Sequence, residues 1–322
     1  MEIAVTAWRS EDGWSAPSLC GQAERAEAMG FHSYWLPENH FGDSRAIPSP
    51  LTLLAAAAAR TQSLKLATTS YLLPIRHPIQ AAEEVAVLDQ LSGGRVILGI
   101  GRGIQDAVFE VFGLASRDKR ARFATNLTTM LKAWRGEPLN EGLPGEPVCL
   151  APLPVQQPHP PLWVAAFGPL ALKQVGGLGL PYLASPIEPL DSLVGNYALH
   201  AEAAADAGHR LEATVPVMRT VFITARASLA TKVKETLAAN LPPALRRTGA
   251  DVDDWAIIGD RSYARERIAR YVDTLNITHF IGGGRLPALP DEDLLQSHEW
   301  LVQIGDDIDK PADQHPSGER FT

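Results

Sequence analysis

The chain has 322 residues, 45% of them apolar and 7% aromatic, with a formal net charge of −8. That is enough apolar material for a full-sized core, and the acidic balance without a long basic run argues against nucleic acid or an anionic membrane as the main partner. Cys20 and Cys149 give neither a disulfide framework nor a zinc site.

The start, MEIAVTAWRSEDGW, lacks the basic-then-apolar order of a signal peptide, and no apolar stretch reaches membrane-spanning length. A cytoplasmic α/β protein is therefore expected. Short β-branched runs alternate with amphipathic or Ala-rich segments, the pattern of parallel βα units. Ile3–Trp8 reads as strand one, followed by a helix that Gly30 closes. Ser33–Pro37 is strand two, and a helix opening near Pro48 or Ser49 runs to about Arg60. Leu64–Tyr71 is strand three. The helix from Pro78 ends at Gly93–Gly94, and Val96–Gly103, VILGIGRG, supplies strand four. Helical spacing returns over about Arg117–Trp134. A Pro- and Gly-rich passage then reads as an insertion before strand five, Leu162–Phe167. Pro181–Ser185 is strand six, Thr214–Thr224 strand seven, and THFIGG, from Thr278, strand eight. Helices are expected near 190–207, 230–239, 263–275 and 291–304. Eight strands without a linker fit one (β/α)8 barrel over residues 1–305, with 306–322 as a disordered tail.

The glycines of VILGIGRG match neither a dinucleotide fingerprint nor a P-loop. At the C-terminal end of a barrel strand they would let a flat ring or a phosphate approach the backbone. Arg102 beside them is a planar, permanently charged fork suited to phosphate; the alternative is a rim ion pair with Asp106 or Glu110. No His, Cys or carboxylate set has metal-ligand spacing, so no metal is expected. Trp8 is cavity lining or plain wall, and His77 either anchors its loop or takes part in catalysis.

The run from Leu64 to Gly103, with VFEVFG after it, strongly resembles the bacterial luciferase-like monooxygenase family. LPENHF upstream, HPPLWVAAFGPLALKQVGGLGLPYLASP downstream and the late IIGDRSYARERIARYVDTLNITHFI fall in the same order, so the resemblance spans roughly Ile3–Phe280. It implies a (β/α)8 barrel, a homodimer through the two Ala-containing helices after strands two and three, and reduced FMN delivered by a separate NAD(P)H:flavin reductase. Dioxygen would then oxygenate a small organic substrate. One branch uses a deazaflavin for hydride transfer, and a flavin-binding protein without turnover is the further alternative.

Residue by residue, the resemblance places Arg102 and Gly103 at the FMN phosphate, together with the turn Phe167-Gly168-Pro169 at a helix start. It places Thr68, Thr69 and Ser70 beneath the flavin ring, with a non-proline cis peptide at Thr69–Ser70. Glu38, Asn39 and His40 stand at the strand-two motif, Glu38 near the cofactor and the other two as the catalytic pair. The family's Glu-His-His-Phe is here Glu38-Asn39-His40-Phe41. Asn39 can hydrogen-bond a reacting oxygen but cannot shuttle a proton at neutral pH. His40 is either a general base or a histidine packed behind the strand against Glu38. The usual phosphate hydroxyls are replaced by Gly168 and Leu172, which leaves backbone N–H groups and Arg102 for that task.

Overall fold

A computed structural model describes residues 1–9, 15–42, 46–142, 144–211, 213–241, 245, 250–284 and 286–309. Strand and helix alternate from the first element: β1 (Glu2–Thr6), α1 (Ala16–Met29), β2 (Ser33–Leu36), α2 (Pro50–Ala58), β3 (Lys65–Thr68), β4 (Tyr71–Leu72), α3 (Pro78–Ser92) and β5 (Val96–Gly101). The first helix shows why its ends fall where they do. The Ser15 side chain accepts the Ser18 N–H at 3.2 Å, and Gly30 at φ 87° returns its own N–H to Ala26 and Glu27.

The second half continues with α4 (Asp106–Val111), α5 (Lys119–Trp134), β6 (Leu162–Ala165), α6 (Pro169–Gly177), β7 (Tyr182–Leu183) and α7 (Leu190–Asp206). Then come β8 (Pro216–Ile223), α8 (Ala227–Ala239), α9 (Val252–Trp255), β9 (Ala256–Gly259), α10 (Arg261–Leu275), β10 (His279–Gly283) and α11 (Asp291–Asp309).

Every ladder is parallel, in the order β7-β6-β5-β3-β2-β1-β10-β8-β9, with β4 beside β5. Eight strands each send one residue into a common cluster: Ala4, Trp35, Ala67, Ile97, Trp163, Leu183, Met218 and Ile281. This inner cluster is separate from the larger core between strands and helices. Trp35 and Trp163 stack at its centre, 5.0 Å between ring centroids. Two residues further along, the same face of the strands carries small or hydroxyl side chains: Thr6, Thr69, Gly99, Ala165, Thr220 and Gly283. The interior is therefore floored by indole rings, with smaller side chains toward the strands' C-terminal ends.

Between β7 and β8 no backbone ladder forms among the described residues. Side chains bridge that seam instead. The Tyr197 hydroxyl lies 2.6 Å from the Pro216 carbonyl oxygen and 3.4 Å from that of Tyr182, and Arg219 donates to Ser185 O at 3.2 Å.

Several expectations need correction. Strand three does not run unbroken to Tyr71. It stops at Thr68 and resumes as β4 after a cis Thr69–Ser70 peptide, the bond expected there. Strand β9 was missed, because four residues of apolar sequence between two helical segments carry no period of their own. It pairs with Thr220–Ile223 of β8, while β10 pairs with Pro216–Thr220. Helix α11 extends to Asp309, so residues 306–309 are helical and not tail; residues 310–322 lie outside the described residues. The Pro-rich passage between α5 and β6 holds no helix or strand among its described residues. It is pinned to α3 through Gln156, whose backbone N–H and side-chain amide donate to Asp89 at 2.8 and 2.7 Å.

Candidate active site

The C-terminal ends of β2, β3, β5 and β6 bring the expected site residues to one end of the sheet, but several do different work from that expected. Glu38, just past β2, has no exposed side-chain surface. Its Oε1 accepts from His40 Nε2 at 2.6 Å and from an Arg76 guanidinium nitrogen, and its Oε2 accepts the Leu72 N–H at 2.8 Å. Glu38, expected near the cofactor, thus holds three protein donors, one of them His40. The His40 ring is almost covered, 5.2 Å from Phe112 and 5.8 Å from Phe41 between centroids. It is bonded to Glu38, as the packed alternative required, with Nδ1 as its remaining nitrogen.

Asn39 is exposed. Its backbone N–H reaches Ile47 O at 3.1 Å, and its amide bonds no described residue. The loop beyond Gly42 includes residues 43–45, outside the described residues.

Thr68 is also corrected. Side chains alternate along a strand, so with Ala67 and Thr69 facing inward Thr68 faces away. Its hydroxyl is donated to Gly99 O at 2.8 Å, and it is 1% exposed. Thr69 faces the interior, with its hydroxyl 3.9 Å from Met218 Sδ. The strand-four glycines do not hold space open for a ligand. A Cβ on Gly99 would lie 2.0 Å from Thr68 O, and one on Gly101 would lie 2.1 Å from Ser70 Oγ. The neighbouring strand already fills that space. Gly103 turns the chain at φ 76°, against the Phe109 ring. Trp8 is buried against Tyr34 and His298, so it is wall, and His77 is exposed at the start of α3.

Arg102 is the unsatisfied member. It is partly buried and donates one long hydrogen bond, 3.4 Å, to Gln174 Oε1 on α6; among the described residues it has no ion pair. The alternative partners Asp106 and Glu110 do not take it: Asp106 accepts from Ser116 and lies 4.0 Å from Lys119. Burial, with Arg120 as a nearby like charge, pulls the Arg102 guanidinium below its ordinary range. A cleft of about 420 Å³ is lined by Arg102, Ser116, Arg117, Lys119 and Arg120. Sequence reasoning missed the last three; the signal was the cation-rich SRDKRAR run (Ser116–Arg122) at a helix start.

The α6 start adds main-chain donors. Gly168, at φ 82°, precedes Pro169 at the first helical position, and the Leu170 N–H has no partner among the described residues. Phe167 beside it is exposed.

A sequence model of the luciferase-like monooxygenases matches residues 3–276. The chain belongs to the luciferase-like monooxygenase family. Relatives of this luciferase-like chain include the oxygenase component of flavin-dependent trigonelline monooxygenase from Acinetobacter baylyi, 30% identical over 187 residues, 56% of this chain and 51% of that one. An uncharacterized Sinorhizobium fredii protein, y4wF, is 38% identical over 152 residues, 46% of this chain and 44% of its own. The chain thus spans about half the length of the curated relatives it matches. The oxygenating constituent of 3,6-diketocamphane monooxygenase from Pseudomonas putida, solved with FMN, superposes with a TM-score of 0.80 at 23% identity, covering 94% of this chain and 96% of that one. An F420-dependent secondary alcohol dehydrogenase reaches 0.76 at 18%, covering 94% and 98%. Both likenesses concern the fold. Among the described residues no helix is long and apolar enough to cross a membrane, and no cluster of three or more His, Cys, Asp or Glu could hold a metal.

Proposed function

We propose that the protein is a flavin-dependent monooxygenase that takes reduced FMN and dioxygen and oxygenates a small organic substrate. One observation carries this: Arg102 and Arg120 line one cleft, Arg102 has no carboxylate partner among the described residues, and it bonds α6, whose start carries the free Leu170 N–H. A partly desolvated guanidinium without a counter-charge is costly, and a phosphate relieves that cost. The donor set fits FMN: two guanidinium groups match a terminal phosphate dianion, and the small side chains at the strands' C-terminal ends suit a flat ring. When bound, reduced flavin supplies the electrons that activate dioxygen for transfer of one oxygen atom.

The chain's own residues do the rest. Arg102, Arg120 and the Leu170 N–H hold the phosphate. The hydroxyl of Thr69 offers a donor at the ring's level, above the Trp35–Trp163 floor that closes the interior to water from below. Ser70 braces strand β5. The exposed Asn39 amide orients the substrate or the reacting oxygen. His40 Nε2 shares its proton with Glu38 Oε1, so Nδ1 is the atom that takes or returns a proton.

Closure into an eight-stranded (β/α)8 barrel is supported by the shared inner cluster, with Tyr197 and Arg219 across the β7–β8 seam. The passage 136–161 is read as an insertion into it. A separate flavin reductase is supported by the trigonelline relative being named an oxygenase component. A homodimer through α2 and α3 is supported by exposed Val87 and Leu91 on α3. Cytoplasmic residence belongs to the same reading.

The experiment is titration with FMN in both redox states beside riboflavin, followed by reductase-coupled oxygen uptake. Failure of either FMN form to bind, with no effect of Arg102→Ala, would sink the proposal. Preferential binding of deazaflavin would shift it to hydride transfer, a chemistry that the F420-dependent fold relative keeps in view. Tight FMN binding without substrate-stimulated oxygen uptake would leave a flavin-binding protein without turnover.

A further inference from the structure

Helix α5 begins with its charges reversed. The unpaired N–H groups of a helix start carry partial positive charge, so acidic residues belong there and basic ones at the far end. Past its Asp118 N-cap, the first turn of α5 has no acidic residue; it carries Lys119, Arg120 and Arg122, with Arg117 ahead of the cap. Arg122 is accounted for by its bond to Pro74 O at 2.8 Å. Arg120 faces Arg102 across the cleft. Arg117 and Lys119 line the same cleft; the Arg117 side chain is 88% exposed and that of Lys119 32%.

Their counter-charges are distant. Arg117 Nε is 3.9 Å from Asp118, and Lys119 Nζ is 4.0 Å from Asp106, which is itself engaged by the Ser116 hydroxyl. Lys119 also lies 5.6 Å above the Phe109 ring. The result is a concentrated positive mouth on a chain whose overall charge is −8 and therefore repels a dianion from most directions.

We propose that Arg117 and Lys119 form a capture patch that draws a phosphomonoester dianion into the cleft, before Arg102 and Arg120 seat it. This rests on the FMN reading above. Capture needs charge at the entrance and not a fixed hydrogen bond, which is what loosely paired cations provide. Fields of this kind raise association rates and are screened by salt, because the Debye length is about 10 Å at 0.1 M ionic strength. Dissociation is set by the seated contacts and stays as it was. Asp106, the acid nearest Lys119, weakens the patch, so its neutralisation speeds capture.

The test is stopped-flow binding of oxidised FMN at low and high ionic strength, with riboflavin as the probe lacking phosphate. Arg117→Gln with Lys119→Gln is expected to slow FMN association about tenfold at low salt, leave dissociation within about twofold, and converge with the parent protein at high salt. Riboflavin association stays unchanged in both, and Asp106→Asn quickens FMN. Lys232→Gln, an exposed site on α8, serves as the charge control and changes nothing. An unchanged association rate in the double variant overturns the proposal, as does a faster dissociation alone, which would make the two residues direct phosphate ligands. Absence of FMN binding by the parent protein is a different result and fails the FMN reading itself.

Discussion

The hydroxyl oxygen of Ser70 stands where a side chain on Gly101 would have to go: a Cβ built on that glycine falls 2.1 Å from it. Two residues earlier the obstacle is main chain, with Thr68 O 2.0 Å from a Cβ on Gly99. The glycines of VILGIGRG therefore exist for the close approach of the adjacent strand. They let Thr69 and Ser70 take their places at the interior's upper rim.

The two glycines differ in how their surroundings can yield. Ser70 is a side chain and can rotate, so Gly101→Ala is expected to cost roughly 1–3 kcal/mol of stability. A carbonyl in a paired strand cannot move away, so Gly99→Ala costs more and prevents accumulation of soluble protein. Denaturant unfolding of the two variants checks the order. A Gly99→Ala protein as stable as its parent would show the packing account to be wrong.

Arg120→Ala removes one of the two guanidinium groups proposed to seat the phosphate. A charge-assisted hydrogen bond is worth about 1.5–3 kcal/mol, which is about ten- to a hundredfold in affinity. FMN binding is expected to weaken by that factor while riboflavin binding does not change. Calorimetric titration with both ligands checks this, and equal losses for the two would remove the phosphate assignment.

Glu38→Gln keeps the shape but not the charge. It leaves Arg76 and the Leu72 N–H facing a weaker acceptor, and breaking such a buried pair costs roughly 3 kcal/mol. The Arg76 side chain is 22% exposed, so water recovers part of that cost. The variant is expected to melt earlier and to lose turnover through a misplaced His40. Thermal unfolding, with the pH dependence of turnover, separates these effects. Full turnover with an unchanged profile would leave the Glu38–His40 pair without a part in the reaction.

Acid sensitivity follows from the histidines. Burial lowers the His298 pKa to about 4, and its Nδ1 has no partner. Burial, with His32 and the N-terminal amine adding like charge, lowers His279 to about 4 as well. In the unfolded chain these groups protonate near pH 6.5. The unfolded state thus binds protons first as pH falls. The stability these histidines lend is complete above about pH 6.5 and is lost progressively toward pH 4, on the order of 3 kcal/mol for His298. His298→Phe should flatten the acid limb in that window when stability is measured against pH. A slope identical to the parent's would mean that His298 does not titrate with unfolding.

Glu27 acts lower on the scale. Burial pushes its carboxyl up, but the N–H groups of Ser63, Leu64 and Gln62 and the Ser63 hydroxyl outweigh that and bring it to about 2. Its contribution persists above pH 4.5 and fades only as pH falls toward 2.

The sequence by itself determined what local chemistry controls. Gly30 and Gly93 end helices and Pro78 starts one, because capping needs only a few neighbouring residues. The order of parallel strands followed from alternating apolar runs, and motif order placed Arg102, Thr69, Ser70 and the α6 start at one end. Only the tertiary structure decided which of these residues remain free to bind. Thr68 and Glu38 looked available in the chain, but partners at Gly99 and Arg76, 31 and 38 residues away, claim their polar atoms. Only folding set Arg117, Lys119 and Arg120 beside Arg102. A strand's period fixes which way each side chain points, but not what stands opposite; that is set by the curvature of the whole sheet, which no local pattern encodes.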